Sequence, residues 1–179
     1  MLTRSEAEGM LRRANSGGLE GRQAAWDLLY NVDGPTSPDL CVGAVEALVR
    51  QGGAQPIVDK WATLSERVRR NVAYGSSSLE ALNVAAVEAL SRSPETSPEL
   101  RHLLIAGLVR NAAELPKLDV VRISRLVQVL SQDRDERRQR IVAKFKDHLR
   151  ELLTRAEKPA ERKANVAKSG SGSDVAAVF

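Results

Sequence analysis

The sequence predicts an all-α protein: a compact helical bundle or a short stack of two-helix repeats, with about six to eight helices and a flexible basic C-terminal tail. Three observations lead there. Apolar residues recur at three- and four-residue spacing along most of the chain, the period of a helix face. Two near-identical helix-start signals occur sixty residues apart. Trp26, Tyr30, Trp61, Tyr74, Phe145 and Phe179 are the only aromatic residues, so Leu, Val and Ala must fill the core. Closely packed helices allow that, whereas sandwiches and barrels draw more on aromatics and Thr.

The helix starts are Thr36-Ser37-Pro38-Asp39-Leu40 and Thr96-Ser97-Pro98-Glu99-Leu100. In each, Ser is placed to accept from the first free amides, and Pro at the first helical position loses no bond because its missing N–H would be unpaired there. The acid that follows complements the positive end of the helix. Cys41, Ala44, Val45, Leu48 and Val49 then form one stripe, and Leu100, Leu103, Leu104, Gly107 and Leu108 another.

Further helices are expected over about residues 4–15 and 20–32, the second stopped by Asp33-Gly34-Pro35. Residues 55–73 read as one helix or two short ones. A helix over about 77–92 would bury Leu79, Leu82, Ala86, Val87 and Leu90, and one over about 117–131 would bury Ile123, Leu126, Val127 and Leu130. The last would run from near Asp133 to about Lys158. Gly17-Gly18 and Gly52-Gly53 read as turns between helices. Residues 1–158 thus form one all-α domain, with 133–158 as a basic terminal helix. Residues 159–179, containing Ser169-Gly170-Ser171-Gly172-Ser173, read as a disordered tail.

Val42-Gly43-Ala44-Val45-Glu46-Ala47-Leu48 recurs as Val84-Ala85-Ala86-Val87-Glu88-Ala89-Leu90, identical at six of seven positions. Helix starts recur about every 20 residues, so a helical pair takes about 40. Over roughly residues 36–131 this pattern resembles HEAT and armadillo repeats, and the resemblance implies stacked helical pairs that present a binding surface.

The composition sets bounds on function. The 179 residues suit one domain with a real core, at 42% hydrophobic and 28% charged. No apolar run reaches the roughly 20 residues of a membrane span, so no membrane association is expected. Met1-Leu2-Thr3-Arg4-Ser5-Glu6 lacks the apolar core of a signal peptide. Cys41 stands alone, which suits a reducing, cytoplasmic setting.

The chemistry of an enzyme is sparse. There is no Gly-Lys-Ser/Thr phosphate loop, and neither His102 nor His148 has a His or Cys partner at metal-ligand spacing. Cys41 sits in an apolar stripe and reads as a small buried hydrophobe. Glu46 and Glu88 read as solvated charges flanking their stripes. No cofactor, metal, catalytic residue or small-molecule substrate is therefore expected.

What remains is charge. Residues 1–132 carry 15 basic and 15 acidic side chains, whereas residues 133–168 carry twelve basic and seven acidic. Arg134, Arg137, Arg138, Arg140, Lys144, Lys146 and Arg150 cluster on the last helix, followed by Arg162 and Lys163. Such a cluster can neutralise phosphates. Asp133–Arg137, Glu136–Arg140 and Glu151–Arg155 would also support an exposed helix as i,i+4 pairs. Arg67, Arg69 and Arg70, with Trp61 and Tyr74 nearby, form a smaller basic group. The apolar seam Val142, Phe145, Leu149 and Leu152 on the last helix would either dock on the domain or contribute to self-association. The expectation is a non-catalytic helical interaction or assembly protein, binding a protein partner or a second copy. The alternative is a nucleic-acid-associated protein that grips the phosphate backbone.

Overall fold

The computed structural model describes residues 2–157, with side chains through Arg155. The expected tail, including Arg162 and Lys163, lies outside the described residues. Among the described residues the chain is all-α, as the periodicity requires: nine α-helices, two single 3₁₀ turns and no strand. They are α1 (Arg4–Asn15), α2 (Gly18–Asn31), α3 (Pro38–Gly52), α4 (Gln55–Lys60), α5 (Glu66–Gly75), α6 (Val84–Arg92), α7 (Pro98–Asn111), α8 (Lys117–Leu130) and α9 (Glu136–Glu157). The count exceeds the expected six to eight because residues 55–73 divide: a 3₁₀ turn at Trp61–Thr63 ends α4, and Ser65 starts α5 by accepting from Val68 N.

Side-chain caps fix most starts. Thr3 and Glu6 form a reciprocal capping box on α1, Thr3 Oγ1 accepting from Glu6 N at 3.3 Å and Glu6 Oε2 from Thr3 N at 2.7 Å. The two Thr-Ser-Pro segments both place Pro first in the helix, but only Ser97 caps, accepting from Leu100 N at 3.3 Å. Ser37, at φ −139° and ψ 55°, makes no cap bond, which corrects the expectation that both serines would. The threonines diverge as well. Thr96 is buried, accepting from Trp61 Nε1 at 2.8 Å and donating to Leu90 O at 2.5 Å, whereas Thr36 turns to Asp33 at the surface.

α6 starts at Val84 rather than near residue 77. Asn83 accepts from Ala86 N at 2.8 Å and so fixes the first turn there. Leu79, expected in the core, is 43% exposed as a result, while Leu82, Ala86, Val87 and Leu90 are buried. Positive φ angles at Gly17, Gly18 and Gly53 make the turns into α2 and out of α3, conformations that side-chain-bearing residues rarely adopt.

The stripes meet in one continuous apolar core from Ala7 to Leu149, filled by Leu, Val, Ala and Ile with Trp26 and Trp61 as its buried aromatics. α1 packs on α2 and α3, α3 on α5, α5 on α7, and α7 on α6 and α8. α9 lies across α8 and α7. The copies of the Val-Glu-Ala-Leu segment differ in their partners. α3 packs on the helix before it, but α6 makes little contact with α5 and packs on α7, α8 and α4.

Candidate functional site

The candidate site is α9, and its mounting begins in the loop before it. Asp135 accepts from Arg138 N at 3.0 Å and so starts the helix at Glu136. Asp133, just outside the helix, accepts from Asp135 N at 3.0 Å and holds that turn. Arg138 then donates Nε and Nη2 to the two oxygens of Asp133 and Nη1 to Glu99 Oε1 at 2.7 Å, across to the start of α7. A two-pronged arginine–carboxylate bond of this kind fixes both angle and position. Chiefly because of it, the Asp133 carboxyl is held down at about 2.

His102 on α7 completes the cluster. It is 8% exposed, with Nε2 3.5 Å from Asp133 Oδ2 and no hydrogen bond on either ring nitrogen. Burial pushes its pKa below the usual value, against the pull of Asp133, so it is neutral near pH 7. Glu99 lies one turn before His102 on α7, and the loop before α9 brings Asp133 and Arg138 to the same imidazole. Among the described residues, no group of three or more His, Cys, Asp or Glu is placed to hold a metal ion.

The apolar seam is spent inside the chain. Val142 and Leu149 are buried at 3% and 1% exposure, and Phe145 and Leu152 pack partly buried against the same core. Self-association through this seam would require α9 to leave its own domain. Arg137, Arg140 and Lys144 lie on the side of α9 away from the seam, Arg134 in the loop before the helix and Lys146 on the flank toward α8; all five are exposed and make no ion pair among the described residues. Arg150 is exposed but pairs with Asp147 at 3.0 Å.

Arg138, expected among the phosphate-facing cations, is half-buried and engaged by Asp133 and Glu99. The expected Asp133–Arg137 pair fails for the same reason: Asp133 precedes the helix, so i,i+4 geometry does not apply to it. Glu151–Arg155 does form, at 3.7 Å. Ile141, 44% exposed between Arg137 and Lys144 on the outward flank, was not singled out from the sequence.

The smaller basic group is likewise engaged internally. Arg67 donates to Tyr30 O, Arg69 to Trp61 O at 3.0 Å and Glu95 O at 2.6 Å, and Arg70 pairs with Glu66 at 3.3 Å. Glu46 and Glu88 are half-buried and partnered rather than solvated. Glu46 accepts from Ser78 Oγ, and Glu88 bridges Arg92 at 2.6 Å and Arg122 at 2.9 Å. Their place at the stripe edge brings them under the next segment to cross. Cys41 is fully buried, and burial pushes its thiol up to about 12. No helix among the described residues is long and apolar enough to cross a membrane.

Comparison of this chain with protein-family models, with curated proteins and with solved structures finds no match.

Proposed function

We propose that this chain is a non-catalytic helical interaction or assembly protein that binds another macromolecule along the outward face of α9. One observation carries the reading. The helix is fixed to the body by its apolar seam and by Arg138, while Arg134, Arg137, Arg140, Lys144 and Lys146 are left without carboxylate partners. Several arginines elsewhere are answered by acids or carbonyls, as Arg4, Arg69, Arg92 and Arg122 are. A rigidly mounted strip of unanswered cations, with Ile141 among them, complements an acidic surface and speeds encounter with it.

The resemblance to helical repeats belongs to the same proposal. Helices pack mainly on near neighbours in the chain. Asn71 and Asn111, forty residues apart, each send Nδ2 back to carbonyls of an earlier segment: Leu29 and Val32 for Asn71, Ser77 for Asn111. The slight contact between α5 and α6 makes any such stack irregular.

Nucleic acid is the second reading, favoured by the arginine content of the strip. It would rest on phosphate contacts alone, because Phe145 is packed inward and offers no stacking platform. The test is capture of partners from native lysate, with and without nuclease, by the wild type and by a triple variant Arg137→Glu, Arg140→Glu, Lys144→Glu. Deleting α9 would bare the core, so charge reversal is the cleaner change. Capture that survives nuclease and is lost in the triple variant supports the protein-binding reading. Capture that needs nucleic acid, and falls steeply between low and moderate salt, moves it to the second. Equal capture by wild type and variant, or none by either, overturns both.

A further inference from the structure

Away from α9, a pocket of about 250 Å³ opens between α6, α7 and α8. Arg92, Arg101, Arg122 and Arg125 line it, and Glu88 is the one carboxylate among its lining residues. Glu88 is divided between Arg92 at 2.6 Å and Arg122 at 2.9 Å, and Asp119 lies 3.6 Å from Arg122. Neither Arg101 nor Arg125 has a carboxylate partner among the described residues. Arg101 is anchored by backbone instead, donating Nε to Ser91 O at 2.8 Å and Nη2 to Thr96 O at 3.3 Å. A guanidinium has five N–H donors, so this anchorage leaves Arg101 both its charge and further donors.

Ser91 supplies the second, independent observation. It is 4% exposed, lines the same pocket, and its hydroxyl has no hydrogen-bond partner among the described residues. A buried hydroxyl without a partner is costly to keep, and the great majority find one. Ser91 shares this pocket with guanidinium groups in excess of the local acids and with apolar surface from Ile105, Leu126 and Val129.

We infer that this pocket is a binding site for a small phosphate monoester with a compact apolar body. The phosphoryl oxygens accept from Arg101 and Arg125 and, once its side chain turns from its enclosed position into the pocket, from the Ser91 hydroxyl, and the organic part rests on Leu126 and Val129. Glu88 keeps Arg92 and Arg122 in place rather than opposing the anion, because both of its arginines are already bonded to it. The pocket is a ligand site and carries no reaction. It is independent of the α9 reading, since neither Arg134 nor any of the four unpaired α9 cations lines it.

The test is calorimetric titration of the full chain with phenyl phosphate, inorganic phosphate and a short single-stranded oligonucleotide, repeated on Arg125→Glu and Ser91→Ala. Arg125 is exposed and has no partner among the described residues, so its variant retains the fold, which circular dichroism checks. The expected result is saturable binding of phenyl phosphate more tightly than inorganic phosphate, weakened about tenfold or more by each substitution. The α9 triple variant should bind phenyl phosphate as the wild type does. No saturable binding at millimolar ligand overturns the inference. So does binding that neither substitution weakens, and an oligonucleotide that outcompetes phenyl phosphate overturns the assignment to a small monoester.

Discussion

Arg138 on α9 reaches Glu99 at the start of α7, with Nη1 2.7 Å from Oε1. The same relationship recurs at the other end of the chain, where Arg4 of α1 lies 2.6 Å from Asp39 at the start of α3. Glu99 and Asp39 are the acids of the two Thr-Ser-Pro segments, so each of these starts is met by an arginine from a terminal helix. The two contacts differ in burial. Arg4 and Asp39 are 58% and 55% exposed, a setting in which ion pairs contribute little. Arg138 is 25% exposed and also grips Asp133, itself 12% exposed. Arg138→Ala should therefore lower the melting temperature clearly more than Arg4→Ala, read by circular dichroism at low and high salt. Equal losses would mean that Asp133 adds nothing to the hold on α9.

The same cluster sets an acid dependence. Arg138 depresses the folded-state pKa of Asp133 from its usual 3.8 to about 2, so its contribution is present above about pH 4 and lost as the pH falls toward 2. His102 acts at higher pH. Burial lowers its folded-state pKa, so below about pH 6.5 the unfolded chain takes up a proton that the folded chain resists, and stability falls. Denaturant titrations from pH 7.5 to 2.5 should show both limbs. Asp133→Asn should flatten the lower one and His102→Gln the upper one.

Cys41 lies fully buried on α3, its thiol pushed up to about 12 by burial first and by Asp39 and Asp33 second. The reactive species is the thiolate, so the native protein should resist thiol reagents at pH 8 and react fully in denaturant. The native rate, followed by absorbance with a chromogenic disulfide, should report opening of α3 from the core. Fast native labelling would place the thiol at the surface.

Much of this fold was legible because capping residues and apolar stripes are local. Ser97 and the Leu100 stripe could be read directly from spacing. Leu79 could not, since it continues the period of Leu82 and Ala86 and only the Asn83 side-chain bond decides that the helix begins later. Arg138 looked like its neighbours until the loop geometry of Asp133 set it apart. The arginine pocket was hidden for a different reason. Its cations come from α6, α7 and α8, inside a region whose charges balance, so no contiguous stretch signals it. The unpartnered Ser91 hydroxyl has no sequence signature at all.

At Gly75 the backbone of α5 lies close against α3. A Cβ there would stand 2.5 Å from Cys41 O and collide with Val45 as well, and backbone cannot step aside. Gly75→Ala should cost about 1–3 kcal/mol through overpacking, despite the better helix propensity of Ala. Gly43 gives the contrast, because its Cβ would meet only the end of the Leu11 side chain, 2.8 Å away. Leu11 can change rotamer, so Gly43→Ala should be close to neutral. Chemical denaturation of both variants checks the difference.

Asn71 joins α5 to the end of α2. It is 1% exposed, its Nδ2 donates to Leu29 O at 2.8 Å and Val32 O at 3.0 Å, and its Oδ1 accepts from Gly34 N at 3.0 Å. Three backbone groups at a helix end and the turn beyond it are satisfied by one carboxamide. Gly34 is small for the same reason, since a Cβ there would lie 2.6 Å from Asn71 Oδ1. Asn71→Leu keeps the volume but leaves those backbone groups buried and unpaired, and should cost about 2–4 kcal/mol. Asn111 makes the related bond to Ser77 O at 2.9 Å while only part-buried, where water can replace it. Asn111→Leu should cost about 1 kcal/mol or less. Hydrogen exchange on the Asn71→Leu protein should locate the damage, with faster exchange at Gly34 than at the start of α8. Uniform acceleration across the chain would mean that the carboxamide stabilises the whole fold rather than the α2–α3 turn.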